Sequence, residues 1–400
     1  MRRRLARSSA LGLLLTIGCG STGPSTPDAS APATLEPPPS PISFDTILAP
    51  LLRTPPRSGA RGYISRPDTF QTSLLDAYAV DEETGRLVLF QEVPARTHML
   101  AVHPSRRTLF TDIYTDGLRY AVQAWSIGVD GALVPGAAAS AANGGRPVQI
   151  AASERAVFLR MDGSSTGYSV WVNAYRFDPQ TGGLGWAGKF LSRGGCHCLE
   201  TEELNGIEVH PSGRFLFDLT ARHIVTHRIT EESRLVEIDA AALTLTNRSH
   251  ALATHPRGDT LYVTGSRRDT GAEFLHVYRL DPATGHLEPM QSVPLPGGFE
   301  GTPVIAVDPL GRALYVPSAS TPRALLTVSL DAAGLPRRTE STSYGEAAAG
   351  GLTVDPLGRF LYVSSDSGIW AWRIDAEGSL AGLDKVAAAG GLRLTVLAAR

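Results

Sequence analysis

The chain is expected to be all-β, a seven-bladed β-propeller of four-stranded antiparallel blades. Three observations predict this. The first is a motif that recurs along the chain: His103-Pro-Ser-Arg-Arg-Thr-Leu-Phe110, His210-Pro-Ser-Gly-Arg-Phe-Leu-Phe217, His255-Pro-Arg-Gly-Asp-Thr-Leu-Tyr-Val263, Asp308-Pro-Leu-Gly-Arg-Ala-Leu-Tyr-Val316 and Asp355-Pro-Leu-Gly-Arg-Phe-Leu-Tyr-Val363. The second is its period. Pro104, Pro211, Pro256, Pro309 and Pro356 are separated by 107, 45, 53 and 47 residues. A degenerate copy, Ile150-Ala-Ala-Ser-Glu-Arg-Ala-Val-Phe158, fills the double gap, with Ala152 in the proline slot. Such periods belong to propeller repeats. The third is a mismatch at the two ends. Residues 61–96 carry the later strands of a unit without an inner strand, and residues 390–400 read as an inner strand with nothing after it. If the last strand completes the first blade, no sheet edge is left open.

Each unit reads as four short strands. An apolar run such as Val304-Ile-Ala-Val307 comes first. A tight turn follows, in which Pro presets φ and Gly accepts φ > 0. A β-branched and aromatic strand such as Ala313-Leu-Tyr-Val316 comes next. The third strand is amphipathic and runs into a second turn, as in Val277-Tyr-Arg-Leu-Asp-Pro-Ala-Thr-Gly285. The fourth strand follows that glycine. No long run at the 3.6-residue period interrupts the pattern, so little helix is expected.

The ends read differently. Residues 1–18 form a signal peptide, with the basic segment Met1-Arg-Arg-Arg-Leu-Ala-Arg7 and an apolar core from Leu11 to Ile17 that is too short to span a membrane. Leu15-Thr-Ile-Gly-Cys19 resembles a bacterial lipoprotein cleavage site, although Thr16 stands where an aliphatic residue is usual. That resemblance implies lipid attachment at Cys19, and Gly20 after it implies the outer membrane. Residues 19–45 are rich in Pro, Ser, Thr and Ala and read as a flexible tether; residues 46–400 are left for the propeller. The expected location is therefore outside the cytoplasm, on a lipid anchor, with the membrane as one partner. The precursor's formal charge of −2 falls to about −6 once Arg2, Arg3, Arg4 and Arg7 are removed, and no basic run remains. Nucleic-acid binding is thereby disfavoured. A monomer without cofactor is expected.

Few residues carry chemistry. Cys196-His197-Cys198 reads as a loop disulfide or two separate thiols; a metal site would need a fourth ligand that the spacing does not supply. Gly183-Leu-Gly-Trp-Ala-Gly188 fits Gly-x-Gly-x-x-Gly, but no helix follows it, so the match is read as chance. His103, His210 and His255 share a slot with Asp308 and Asp355, which marks them as turn caps.

A different slot is more informative. Six residues before the motif proline stand His98, Arg146, Asn205, His250, Pro303 and Gly350. These begin the inner strands and should ring one mouth of the central channel. Gln149 and Glu208 lie three residues further along their strands. Converging polar groups at an axial mouth make the candidate site, with His98, Arg146, His250 and Glu208 as its chemistry.

The Asp-Pro-x-Gly-Arg-x-Leu-Tyr-Val and Tyr-Arg-Leu-Asp-Pro-x-Thr-Gly units resemble those of the lactonase-type seven-bladed propellers. That group includes 6-phosphogluconolactonase-like proteins and overlaps the Tyr-Val-Thr-Asn repeat proteins, to which Tyr262-Val-Thr-Gly265 is close. The resemblance covers about residues 61–400. It implies a His at the position of Asn205, an Arg-His pair at His250-Ala251 and a Glu at Ser266, so most of the family's site is replaced. Two readings follow. The first is a tethered ligand- or protein-binding module. The second is a lactone hydrolase with a rearranged site, in which His250 acts as base, Glu208 partners it and Arg146 steadies the oxyanion.

Overall fold

The computed structural model describes residues 51–52 and 59–397, apart from segments at 70–71, 116–118, 142–144, 163–169, 193–205, 221, 244–247, 268, 298–303, 319–322, 346–348, 366 and 388–392. Its strands form seven antiparallel sheets, and no helix occurs among the described residues. Six sheets have four strands each in chain order. They span Leu100–Ser140, Arg146–Leu191, Ile207–Ala242, Arg248–Leu295, Ala306–Gly345 and Gly351–Ala387, and they are numbered here as blades 2 to 7.

Blade 1 joins the two ends of the fold. Its strands Arg61–Thr69, Thr72–Val80 and Leu87–Pro94 are completed by Arg393–Leu397, which pairs antiparallel with Arg61–Thr69 from Arg61↔Leu397 to Ser65↔Arg393. One strand was not expected. Leu51–Leu52 pairs with Gln91 and Glu92 and extends the outer edge of this blade.

The core lies between blades rather than within them. Seven apolar clusters each join two neighbours, and one joins blade 7 to blade 1 through Phe360, Tyr362 and Ile369 against Ile64, Tyr78 and Val80. The second strands carry most of this burial, because both their faces meet a neighbouring sheet; Thr260–Ser266 is buried at every residue. The outer strands show one face to water, and Leu235–Ala242 has only its first residue fully buried.

The motif turns explain the repeated glycine. In Asp308-Pro-Leu-Gly311 the Gly311 N–H donates to the Asp308 carbonyl at 2.8 Å, and Gly311 takes φ +73°. In the first copy Arg106 occupies that position and takes φ +58°, a conformation that costs a non-glycine residue about 1 kcal/mol.

The shared His/Asp slot caps its turn as expected. Ser212 N–H donates to His210 Nδ1 at 3.1 Å, and Ser105 N–H does the same to His103 at 3.0 Å. The same rings also reach forward. His103 Nε2 lies 2.9 Å from the Glu154 carbonyl oxygen on blade 3, and His210 Nε2 lies 2.7 Å from that of Gly258 on blade 5. In blade 6 Asp308 accepts from Arg312 Nε, and Arg312 Nη2 donates to the Gly358 carbonyl at 2.8 Å. The slot therefore ties successive blades together, a second role beyond capping. Gly183–Gly188 runs into the outer strand Leu184–Leu191, so no dinucleotide-binding turn exists there.

Candidate functional site

The inner strands bring three of the four candidate residues to one mouth of the channel. His98 precedes the inner strand Leu100–Val102, Arg146 opens Arg146–Ala152, and His250 is the third residue of Arg248–Thr254. Asn205, Pro303, Cys19, Cys196 and Cys198 lie outside the described residues.

His98 is held from behind by Asp112, a fully buried carboxylate on the second strand of blade 2. Asp112 Oδ1 accepts from Thr97 Oγ1 at 2.8 Å, from His98 N–H at 2.9 Å and from Met99 N–H at 2.7 Å. Its Oδ2 faces the imidazole, 3.7 Å from His98 Nδ1. Three donors on one oxygen fix the backbone that carries His98.

Tyr120 adds an aromatic wall. It packs against Tyr114 with ring centroids 5.1 Å apart. Burial pushes its hydroxyl pKa up, with Tyr114 and Asp112 adding to the rise and Arg146 opposing it. Tyr120 thus feels both Asp112 and Arg146, and blades 2 and 3 share one cluster of imidazole, carboxylate, phenols and guanidinium. Arg146 itself is exposed.

His250 sits apart, on blade 5. The register shifts between Ser249 and Ala251, so His250 is the extra residue of a β-bulge. Bulges redirect a side chain out of the regular alternation. The ring meets the next strand, with Nε2 3.0 Å from Ser266 Oγ. Ser266 is the position where the family resemblance implies a Glu. A hydroxyl there bonds the imidazole without supplying charge.

Glu208 occupies another depth. Its Oε1 accepts the Thr254 N–H at 2.8 Å, four residues beyond His250 along the same strand. At ~3.3 Å per residue that is ~13 Å of strand, which leaves Glu208 out of hydrogen-bond reach of His250. Gln149 does the equivalent one blade earlier, its Oε1 accepting Ile207 N–H at 2.9 Å. Burial pushes the Glu208 carboxyl up to about 7, against the pull of its bonds to Thr254.

Blade 4 separates Arg146 from His250. Behind it, Arg160 donates to the carbonyls of Gly206 at 3.2 Å and Leu219 at 2.7 Å, and lies 3.5 Å from Asp218 Oδ1; Ser192 Oγ bonds Asp218. This buried network sets the backbone next to the Asn205 slot. Among the described residues, no three His, Cys, Asp or Glu side chains converge as a metal would require.

Sequence reading missed Asp112, Tyr114 and Tyr120. They come from second and third strands, where a polar residue inside an otherwise apolar run, as in Thr108-Leu-Phe-Thr-Asp-Ile-Tyr-Thr115, was the available signal. Chemically, the mouth offers a fixed cation, two imidazoles able to carry protons, and phenol rings. These groups suit a small polyhydroxylated or acidic ligand.

Comparison with known proteins agrees with this architecture. The family model described as lactonase, 7-bladed beta-propeller, matches residues 61–392. No curated protein matches the chain. Among solved structures, the periplasmic gluconolactonase of Pseudomonas aeruginosa superposes with a TM-score of 0.69 at 18% identity, covering 86% of this chain and 100% of that one. A putative 6-phosphogluconolactonase from Bacteroides fragilis gives 0.65 at 14%, covering 85% and 98%. A protein from Lactobacillus plantarum gives 0.66 at 16%, covering 85% and 99%. At these identities the likeness is one of fold. With the matched family model spanning all seven blades, the chain belongs to the lactonase family of seven-bladed β-propellers.

Proposed function

We propose that this chain is an exported propeller, held to the outer membrane by lipid on Cys19, that binds a small polyhydroxylated or acidic ligand at the mouth formed by blades 2 and 3. The observation that carries the reading is the cluster of His98, Asp112, Tyr120 and Arg146. One guanidinium, one positioned imidazole and one aromatic wall make a recognition surface for a hydroxyl-rich ligand with a carboxylate or ester group. The replaced family positions, Asn205, Ala251 and Ser266, favour binding over turnover. The signal-like residues 1–18 and the Pro-rich residues 19–45 support the export and tether.

Lactone hydrolysis is the second reading, favoured by the pairing of His98 with buried Asp112. In it His98 takes a proton from water as the water oxygen adds to the lactone carbonyl. Arg146 balances the resulting oxyanion. The ring C–O bond then breaks, and the proton passes to the leaving alkoxide.

The test uses the full chain in detergent, titrated with gluconate and followed for proton release from glucono-δ-lactone. Saturable gluconate binding that Arg146→Ala abolishes supports the binding reading. Turnover lost in His98→Ala supports the hydrolase. Absence of both binding and turnover refutes a site at this mouth.

A further inference from the structure

The far half of the channel is a separate concavity. A cavity of about 400 Å³ is lined by the inner strands of blades 3 to 6 and by Pro256 at the motif turn. None of His98, Arg146 and His250 borders it. Aliphatic residues such as Val209 and Val307 border it, but the surface it presents is more polar than apolar, and Glu208 is the ionisable residue lining it among the described residues.

Glu208 uses one oxygen to strap blade 5 through the Thr254 amide. Its other oxygen bonds no described residue. Beside it, Thr254 Oγ1 is buried and makes no hydrogen bond of ordinary length among the described residues, although it still draws on the Glu208 carboxylate. Among the described residues, no cationic group acts on the carboxylate. Arg146, Arg248, His250 and Arg393 lie toward the opposite ends of their strands. Asp218 is turned to Arg160 and Ser192. His210 follows Glu208's own strand and His255 the inner strand of blade 5, but their rings pack beside Phe215 and Tyr262.

We propose that this cavity is a second binding site, for a small organic cation: a primary ammonium group on a short chain, with Glu208 as its counter-ion. The second carboxylate oxygen and Thr254 Oγ1 take ammonium N–H bonds. An anion is excluded by the carboxylate. A bare metal ion is excluded because it would need several oxygen ligands and the cavity holds one carboxylate. Burial without a counter-charge holds the Glu208 carboxyl near neutrality. A bound cation restores the charge, so binding expels a proton where Glu208 is protonated and strengthens as pH rises through about 7.

The full chain is titrated calorimetrically with n-butylammonium chloride, with 1-butanol as the neutral probe. The expected result is saturable butylammonium binding at pH 8, weakened about tenfold or more in Glu208→Gln, whose amide oxygen still accepts the Thr254 N–H. Butanol should bind both proteins alike, and Arg146→Ala should leave butylammonium binding unchanged, which separates this site from the mouth. A second measurement needs no variant: at pH 7, butylammonium binding to the wild-type chain should release protons, seen as a heat that varies with the buffer's ionisation enthalpy. No saturable binding, equal binding by Glu208→Gln, or binding without proton release would overturn the proposal.

Discussion

His210 Nε2 lies 2.7 Å from the carbonyl oxygen of Gly258, so one imidazole caps a turn of blade 4 and fastens blade 5 to it. The ring also packs edge-on against Phe215 and Phe217. His210→Ala removes the bond and leaves a gap, and is expected to cost about 2–4 kcal/mol. Gly258→Ala attacks the same contact from the other side. A Cβ there would fall 2.6 Å from His210 Nε2, at φ +78°. Denaturant midpoints check both, and an unshifted midpoint for either refutes the latch.

A buried histidine makes the fold acid-sensitive. His276 is 2% exposed, bonds Ser292 Oγ at 2.8 Å, and has its pKa lowered by burial to about 4. The unfolded chain takes up that proton near pH 6.5 while the fold resists it. The contribution is therefore complete above about 6.5 and lost as pH falls toward 4, on the order of 3 kcal/mol in all. His210 and His255, also lowered by burial, tilt stability the same way. Thermal melts from pH 7 to 4.5 should fall steeply, and His276→Gln should flatten the slope.

Glu208 tilts stability in the opposite direction. Its folded pKa is raised, so its contribution is complete below about 4.5 and lost as pH rises through 7. Glu208→Gln should match the wild type at pH 4.5 once the shared slope is subtracted. At pH 8 it should exceed it by about 1–2 kcal/mol, a figure discounted for water in the channel. Paired melts at the two pH values decide.

Asp112 supports the mouth. Asp112→Ala strands the His98 and Met99 amides and leaves the Thr97 hydroxyl only the Met99 carbonyl, and should cost about 3 kcal/mol or more. Asp112→Asn keeps an acceptor but removes the charge facing His98. It should leave the melting temperature within a few degrees while weakening gluconate binding about tenfold. Loss of both in Asp112→Asn would make the residue purely structural.

Removing residues 391–400 deletes the strand that completes blade 1. The truncated chain is expected to lose its single sharp thermal transition and to aggregate through the exposed edge of Arg61–Thr69. A retained sharp transition by calorimetry would contradict this.

The architecture was legible because the repeat writes the same turn and strand many times; even the completion of blade 1 could be read from an orphan strand at each end. The turn-capping role of His103, His210 and His255 was legible from a slot shared with Asp308 and Asp355. Their forward bonds were not, because partners such as Gly258 are fixed only when two blades are packed. The same gap explains the site. Slot counting found His98, Arg146 and His250, but not Asp112 or Tyr120, which reach the mouth from other strands. Slot counting also set Glu208 beside His250, whereas the packing of blade 4 on blade 5 sets it beside Thr254.

The pairing of Arg61 with Leu397 makes an early strand of the ring depend on a partner far along the chain. Six sheets are each built from one continuous stretch of chain, but the edge of Arg61–Thr69 is covered only by Arg393–Leu397. A chain stopped short of Arg393 is left with an unsealed seam between its first and last blades. Early and late residues are thus bound into one blade, which neither stretch completes by itself.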